Sequence, residues 1–217
     1  MSLKLTIDVV SDVVCPWCYI GQKKLERALA LIPDIQVTVQ WLPYQLDPTI
    51  PRNGTDRHAY MLAKFGSAEK VDEIHARIAS VGQELGITFD FAAIKIAANT
   101  LDAHRLIRWA GATSHDIQGR LISNLFSAFF EQGRDIGDRE TLTDLASKSG
   151  MDAAVVSALL ATQSDVEAVQ QEVATATNMG ITGVPCFLLD GRYALMGAQE
   201  PGVLADAIRQ VAQYTAS

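Results

Sequence analysis

The stretch Ser11–Leu29, SDVVCPWCYIGQKKLERAL, constrains this chain more than any other, because the hydrophobic period changes inside it. Upstream, Leu3, Leu5, Ile7 and Val9 alternate with Lys4, Thr6 and Asp8, the period of a strand with one buried face. Downstream, Trp17, Ile20, Gly21, Leu25, Ala28, Leu29 and Ile32 fall at helical spacing and form one apolar stripe, which Pro33-Asp34 ends. Ile35, Val37, Val39 and Trp41 then alternate again. Strand, helix and strand in immediate succession predict a parallel pair joined by a helical crossover.

Two cysteines sit at the junction. The pattern puts Cys15 at the helix N-cap, Pro16 at the first helical position, where its missing N–H is no loss, and Cys18 two residues further on. The first N–H groups of a helix lack intrahelical partners, and the helix dipole adds partial positive charge there. A thiolate at Cys15 is stabilised by both. Cys18, one turn away, is near enough to close a small disulfide. The expected roles follow: Cys15, the more exposed, attacks a disulfide, and Cys18 resolves the mixed disulfide. A Cys-x-x-Cys also serves zinc, but zinc needs four ligands, and His58, His75, His104 and His115 have no ligand spacing. No metal site is expected.

A second signal, TGVPCF, lies far along the chain. Val184-Pro185 opens a strand after a loop. Proline cannot donate to a ladder, so a special geometry such as a cis bond is expected there. Beside Cys15, such a loop would leave main-chain groups of Val184 free for an extended substrate. Pro16, Trp17, Val184 and Pro185 are therefore the expected substrate-binding residues. Cys186 reads as a small buried hydrophobe on the strand, with a third redox thiol as the alternative.

Between these signals the chain is mostly helical. LPYQLDPTIPRNGT leaves the sheet as a loop. Helices are expected near His58–Phe65, Ser67–Leu85, Ile94–Ala112, Ser114–Glu131, Arg139–Ser149, Ala153–Ala161, Asp165–Met179 and Pro201–Tyr214. The apolar runs flanking Asp190-Gly191 predict a hairpin. The order implies an α/β domain from residues 1–50 and 164–217, interrupted by an all-helical insertion at 51–163.

Composition excludes several classes. At 217 residues, 48% hydrophobic and 20% charged, the chain can build a core without disulfides. A net charge of −7 argues against a nucleic-acid partner. The one local basic cluster, Lys23, Lys24 and Arg27, reads as the solvated face of a helix. MSLKLTIDVV has no continuous apolar region, and no run approaches the roughly 18 residues of a membrane span, so a cytoplasmic protein is expected. In a reducing compartment a Cys-x-x-Cys is catalytic or metal-binding more often than structural.

Together these pieces resemble the DsbA-like branch of the thioredoxin superfamily, and more narrowly its FrnE-type oxidoreductases. SDVVCPWCYIGQKKLERAL, NTLDAHRL and GVPCFLLDGRYALMGAQEP carry the resemblance over nearly the whole chain. It implies a thioredoxin fold with a helical insertion, thiol–disulfide exchange through Cys15 and Cys18, and a cis proline at Pro185. The substrate would be a disulfide-containing protein or small molecule, with no bound cofactor and glutathione open as electron donor. The same branch holds kappa-class glutathione transferases and 2-hydroxychromene-2-carboxylate isomerases, the alternative reading, with a small aromatic or electrophilic substrate. These typically carry serine where Cys15 stands and a Gly-x-Asp-Arg-like segment where this chain reads Gly197-Ala198-Gln199-Glu200. Both departures favour the oxidoreductase. Asn99, Thr100 and His104 either cap and pack a helix or line the cleft beneath the insertion. Met61, Phe65, Leu125, Phe126, Phe129 and Phe130 are core at helical spacing, or else line an apolar cleft or a homodimer surface.

Overall fold

The computed structural model of the protein describes residues 3–215. Its elements, in chain order, are β1 (Leu3–Ser11), α1 (Pro16–Ala30), β2 (Ile35–Pro43), β3 (Thr55–Asp56), α2 (Arg57–Phe65), α3 (Ala68–Glu84), β4 (Ile96–Ala97), α4 (Leu101–Thr113), α5 (His115–Phe130), α6 (Arg139–Ser149), α7 (Ala153–Leu160), α8 (Val166–Asn178), β5 (Cys186–Leu189), β6 (Tyr193–Met196) and α9 (Pro201–Thr215). β1 and β2 pair in parallel, from Leu3 opposite Ile35 to Ser11 opposite Pro43. β5 pairs antiparallel with β1, and β6 with β5, giving the order β2-β1-β5-β6. A parallel β1-α1-β2 unit and an antiparallel hairpin on one sheet, with helices inserted between β2 and β5, is the arrangement that the resemblance implies.

β1 lies inside the sheet, and its alternation shows which face does what. Leu5, Ile7 and Val9 join Ile20, Leu25 and Ala28 of α1 in the main core, while Val10 turns to the other face beside Cys186, Leu188, Ala176 and Ile181. The main core does not stop at the sheet. The same apolar cluster takes in Leu121, Leu125, Phe126, Phe129 and Phe130 of α5, so the helical block and the sheet share one interior. Those four Leu125, Phe126, Phe129 and Phe130 side chains are fully buried, which removes them from any dimer surface.

Gln118 of α5 stitches the block to the outer edge of the sheet. Its side-chain carbonyl accepts from the Trp41 N–H at 2.9 Å, and its amide donates to the Trp41 carbonyl at 3.1 Å and the Ile107 carbonyl at 3.2 Å. At Trp41 the otherwise open strand edge is thereby satisfied by one buried side chain. Arg105 performs a comparable task on α4. It is 0% exposed, pairs with Asp102 at 2.7 Å, and donates to the carbonyls of Ser164, Leu159 and Thr162.

Two expectations need correction. The apolar pattern from Ile94 does not begin a helix. Ile96–Ala97 pair antiparallel with Thr55–Asp56, so the insertion is not wholly helical, and α4 starts only at Leu101. Asn99 fixes that start: its side chain accepts from the Leu101 N–H at 3.0 Å and donates to the Ile50 carbonyl at 2.6 Å. The spacing of Ile94, Ala97 and Ala98 reflects burial of a folded-back loop. The basic cluster on α1 is also not uniformly solvated. Lys24 is buried, donating to Glu200 at 2.5 Å and to the Ala198 carbonyl at 3.2 Å, which ties α1 to the chain entering α9.

The hairpin turns at Asp190 and Gly191, both at positive φ (52° and 65°), with Leu189 opposite Tyr193. Among the described residues, no helix is long and apolar enough to cross a membrane.

Candidate active site

Cys15 occupies the N-cap of α1 with extended backbone (φ −92°, ψ 113°), and Pro16 is the first helical residue. The turn that delivers it is closed by the Cys15 N–H donating to the Asp12 carbonyl at 2.9 Å. The Cys15 carbonyl in turn accepts the Cys18 N–H at 3.0 Å. Cys15 is 5% exposed and Cys18 0%, so the order of exposure matches the sequence pattern, although Cys15 shows only a small face.

The second signal comes to the same place. The Val184–Pro185 bond is cis, and the Cys15 Sγ lies 3.6 Å from the Val184 carbonyl, which accepts its hydrogen bond. What lets the loop approach so closely is Gly21. A Cβ there would stand 2.8 Å from Pro185 Cγ and 3.3 Å from Phe187 Cζ, too near for any side chain without displacement. The apolar stripe of α1 thus includes a glycine because another backbone segment rests on it.

Cys18 is set apart by its surroundings. Burial pushes its thiol well above the ordinary range, and the hydrogen bond to Cys15 and the charge of Cys15 push the same way; Ser11 and the Asp12 main chain pull weakly in the other direction. A thiol so placed keeps its proton while its neighbour is charged. The two sulfurs are therefore unequal: one borders a cavity, and the other is sealed beneath it. Cys186 is different again. It is fully buried on the opposite face of the sheet, among Val10, Ala176, Ile181 and Leu188, and burial raises its thiol as well.

The cavity beside Cys15 has a volume of about 380 Å3. Pro16, Trp17 and Val184 line it. Pro185 is one step back, against Gly21. Met61 and Phe65 of α2 and Ile74 and Ile78 of α3 form the opposite wall, so the insertion covers the cysteine. Thr100 reaches this cavity; Asn99 and His104 do not. Asn99 borders a separate groove with Gln45 and Arg52, and His104 another with Trp41 and Pro43.

His104 instead faces Asp12, with Nε2 and Oδ1 at 3.4 Å and both side chains almost wholly buried. The other carboxylate oxygen of Asp12 accepts the Leu46 N–H at 2.8 Å. Asp12 was not predicted as part of the site, yet it lines the cavity and its carbonyl forms the turn into Cys15. Its position three residues before Cys15 is the signal that could have found it. Arg57 and His75 were missed as well; both line the cavity from the insertion. Among the described residues no three His, Cys, Asp or Glu side chains converge as a metal site would require.

The family model for the DSBA-like thioredoxin domain matches residues 6–209. The structure is similar to that of a probable DsbA oxidoreductase from Streptomyces coelicolor, 29% identical over 95% of this chain and 89% of that one, with a TM-score of 0.86. It is also similar in fold to 2-hydroxychromene-2-carboxylate isomerase (18% identity, 97% of this chain and 98% of that one, TM-score 0.70). A third likeness, again of fold, is to the cytosolic disulfide reductase DsbM of Pseudomonas aeruginosa, solved with GSH (16% identity, 97% of each chain, TM-score 0.58).

Proposed function

Because the chain belongs to the DSBA-like thioredoxin domain family, we propose that it is a thiol–disulfide oxidoreductase in which Cys15 attacks and Cys18 resolves. The observation that carries this reading is the inequality of the two sulfurs. Cys15 opens onto a cavity at a helix N-terminus, and Cys18 is sealed behind it with its proton retained. In the first step the Cys15 thiolate attacks one sulfur of the substrate disulfide; that bond breaks and one substrate thiolate leaves. In the second, Cys18 gives up its proton and attacks the Cys15 sulfur, releasing the second substrate thiolate and closing the Cys15–Cys18 disulfide. Two electrons have passed to the substrate. Charge leaves Cys15 in the first step, which removes one of the causes that hold the Cys18 proton, so attack and resolution are ordered.

The Val184 carbonyl and the faces of Pro16 and Trp17 position the substrate, and Pro185 holds that carbonyl beside Cys15. We read residues 1–50 and 164–217 as the thioredoxin-like domain and 51–163 as an insertion that shapes the cavity. Two electrons from glutathione would restore the dithiol in the cytoplasm, where the protein would act as a reductase of disulfide-containing proteins or small molecules. The test is insulin reduction by the wild type, lost in Cys15→Ser; retention of the rate in that variant removes the proposal.

The fold likeness to an isomerase and the apolar wall of the cavity favour one alternative, a glutathione-dependent isomerase or transferase of small aromatic or electrophilic substrates. Turnover of such a substrate would survive loss of Cys18. Disulfide reduction would not proceed past the mixed disulfide.

A further inference from the structure

The insertion brings a cation into the cavity with nothing to pair it. Arg57 is the first residue of α2, and its guanidinium carbon lies over the Phe129 ring, 5.6 Å from the ring centre. Its N–H donates to the Lys95 carbonyl, but among the described residues its guanidinium meets no carboxylate and no hydrogen-bond acceptor. The neighbouring acids are already engaged. Asp56 caps α2 by accepting the Ala59 N–H at 2.8 Å. Asp47 is held by Thr49 through its N–H at 3.0 Å and its hydroxyl at 2.5 Å. Asp12 takes the Leu46 N–H and faces His104.

Beside Arg57 stands His75, stacked on Phe91 with ring centres 4.0 Å apart, its Nε2 buried and without a partner. Lys64, bonded to the Tyr60 hydroxyl at 3.0 Å, adds a second cation to the same cavity. Burial disfavours the charged form of Arg57, and burial, then the charge of Arg57, lowers the pKa of His75, with Asp72 pulling the other way. A half-buried guanidinium with no hydrogen-bond acceptor carries a desolvation cost, and a carboxylate is the partner its planar fork fits best. The remaining wall is apolar: Ile50, Met61, Phe65, Ile74 and Ile78. At about 380 Å3 the space suits a small molecule.

We propose that this cavity binds small disulfides with an apolar body and a carboxylate, the carboxylate pairing with Arg57 and accepting from His75 while a disulfide sulfur meets Cys15. This rests on the exchange reading above. The exchange is unchanged in balance: two electrons leave the Cys15–Cys18 dithiol, and the small disulfide departs as two thiolates.

The test is a single-turnover reaction of reduced protein with dithiodinicotinate and with its uncharged parent, dithiodipyridine, followed by absorbance of the released thiol. Each rate is divided by that of a free cysteine derivative, which removes intrinsic reactivity. The wild type should favour the carboxylated disulfide. Arg57→Met should lower that preference by about tenfold, the scale of one charge-assisted hydrogen bond. Arg57→Lys, which keeps the charge, should retain much of it. An equal preference in wild type and Arg57→Met overturns the carboxylate site and leaves the exchange reading standing. Failure of both disulfides to react with the wild type overturns the exchange reading itself, and the site with it.

Discussion

Substituting Gly21 by alanine isolates the contact that brings the proline loop to the cysteine. At an unobstructed position inside a helix, glycine to alanine stabilises by about 1 kcal/mol, because the backbone loses less freedom on folding. At Gly21 the new Cβ stands 2.8 Å from Pro185 Cγ and 3.3 Å from Phe187 Cζ. Carbon atoms prefer roughly 3.5–4.0 Å, so the first contact is short by about 1 Å. Neither neighbour is the free end of a flexible chain, and overpacking of this kind costs about 1–3 kcal/mol. The net expectation is between no change and a loss of about 2 kcal/mol. Gly119, within α5, supplies the control: a Cβ there meets nothing within 4 Å, so Gly119→Ala should stabilise by about 1 kcal/mol. Urea unfolding of both variants gives the comparison directly. The strain in Gly21→Ala should be relieved by moving the loop, which shifts the Val184 carbonyl from its 3.6 Å contact with Cys15 and slows disulfide exchange. Stabilisation of Gly21→Ala to the same degree as Gly119→Ala would refute this reasoning.

Other expectations concern groups whose settings differ sharply. Arg105→Met strands three backbone carbonyls and leaves Asp102 with Arg52 alone, so it should cost about 3–5 kcal/mol by denaturant titration; a loss below 1 kcal/mol would show that water replaces the guanidinium. Cys186→Ser places a hydroxyl in an apolar cluster and should destabilise by about 1–3 kcal/mol while exchange persists; loss of exchange in a folded variant would make Cys186 a redox thiol. His75 is held below its ordinary pKa by burial and by Arg57, so the unfolded chain takes up its proton first as pH falls. Its contribution is therefore complete above about 6.5 and declines as pH drops below that value, and His75→Gln should flatten the slope of stability with pH just below it.

Much of the site could be read from the chain because it depends on local patterns. The change of period at Ser11–Leu29 fixes strand, turn and helix, and with them the placement of Cys15, Pro16 and Cys18. The hairpin was legible from Asp190-Gly191 for the same reason. What escaped was set by contacts between distant segments. Gly21 reads as one more small residue in a stripe until Pro185 is found above it. Lys24 reads as solvated until Glu200 and the Ala198 carbonyl arrive from the far end of the chain. Ile94–Ala98 carry a helical spacing because they are buried, and the pairing with Thr55–Asp56 overrides it. Arg57 and His75 have no motif; only the fold of the insertion over α1 brings them to the cavity that Cys15 borders.

The most direct measurement is to react Cys18→Ser with an aromatic disulfide and map the adduct by peptide mass spectrometry. With the resolving thiol gone, the mixed disulfide should accumulate on Cys15 in the folded protein, with Cys186 unmodified. An adduct on Cys186, or none at Cys15, would contradict the assignment of the nucleophile.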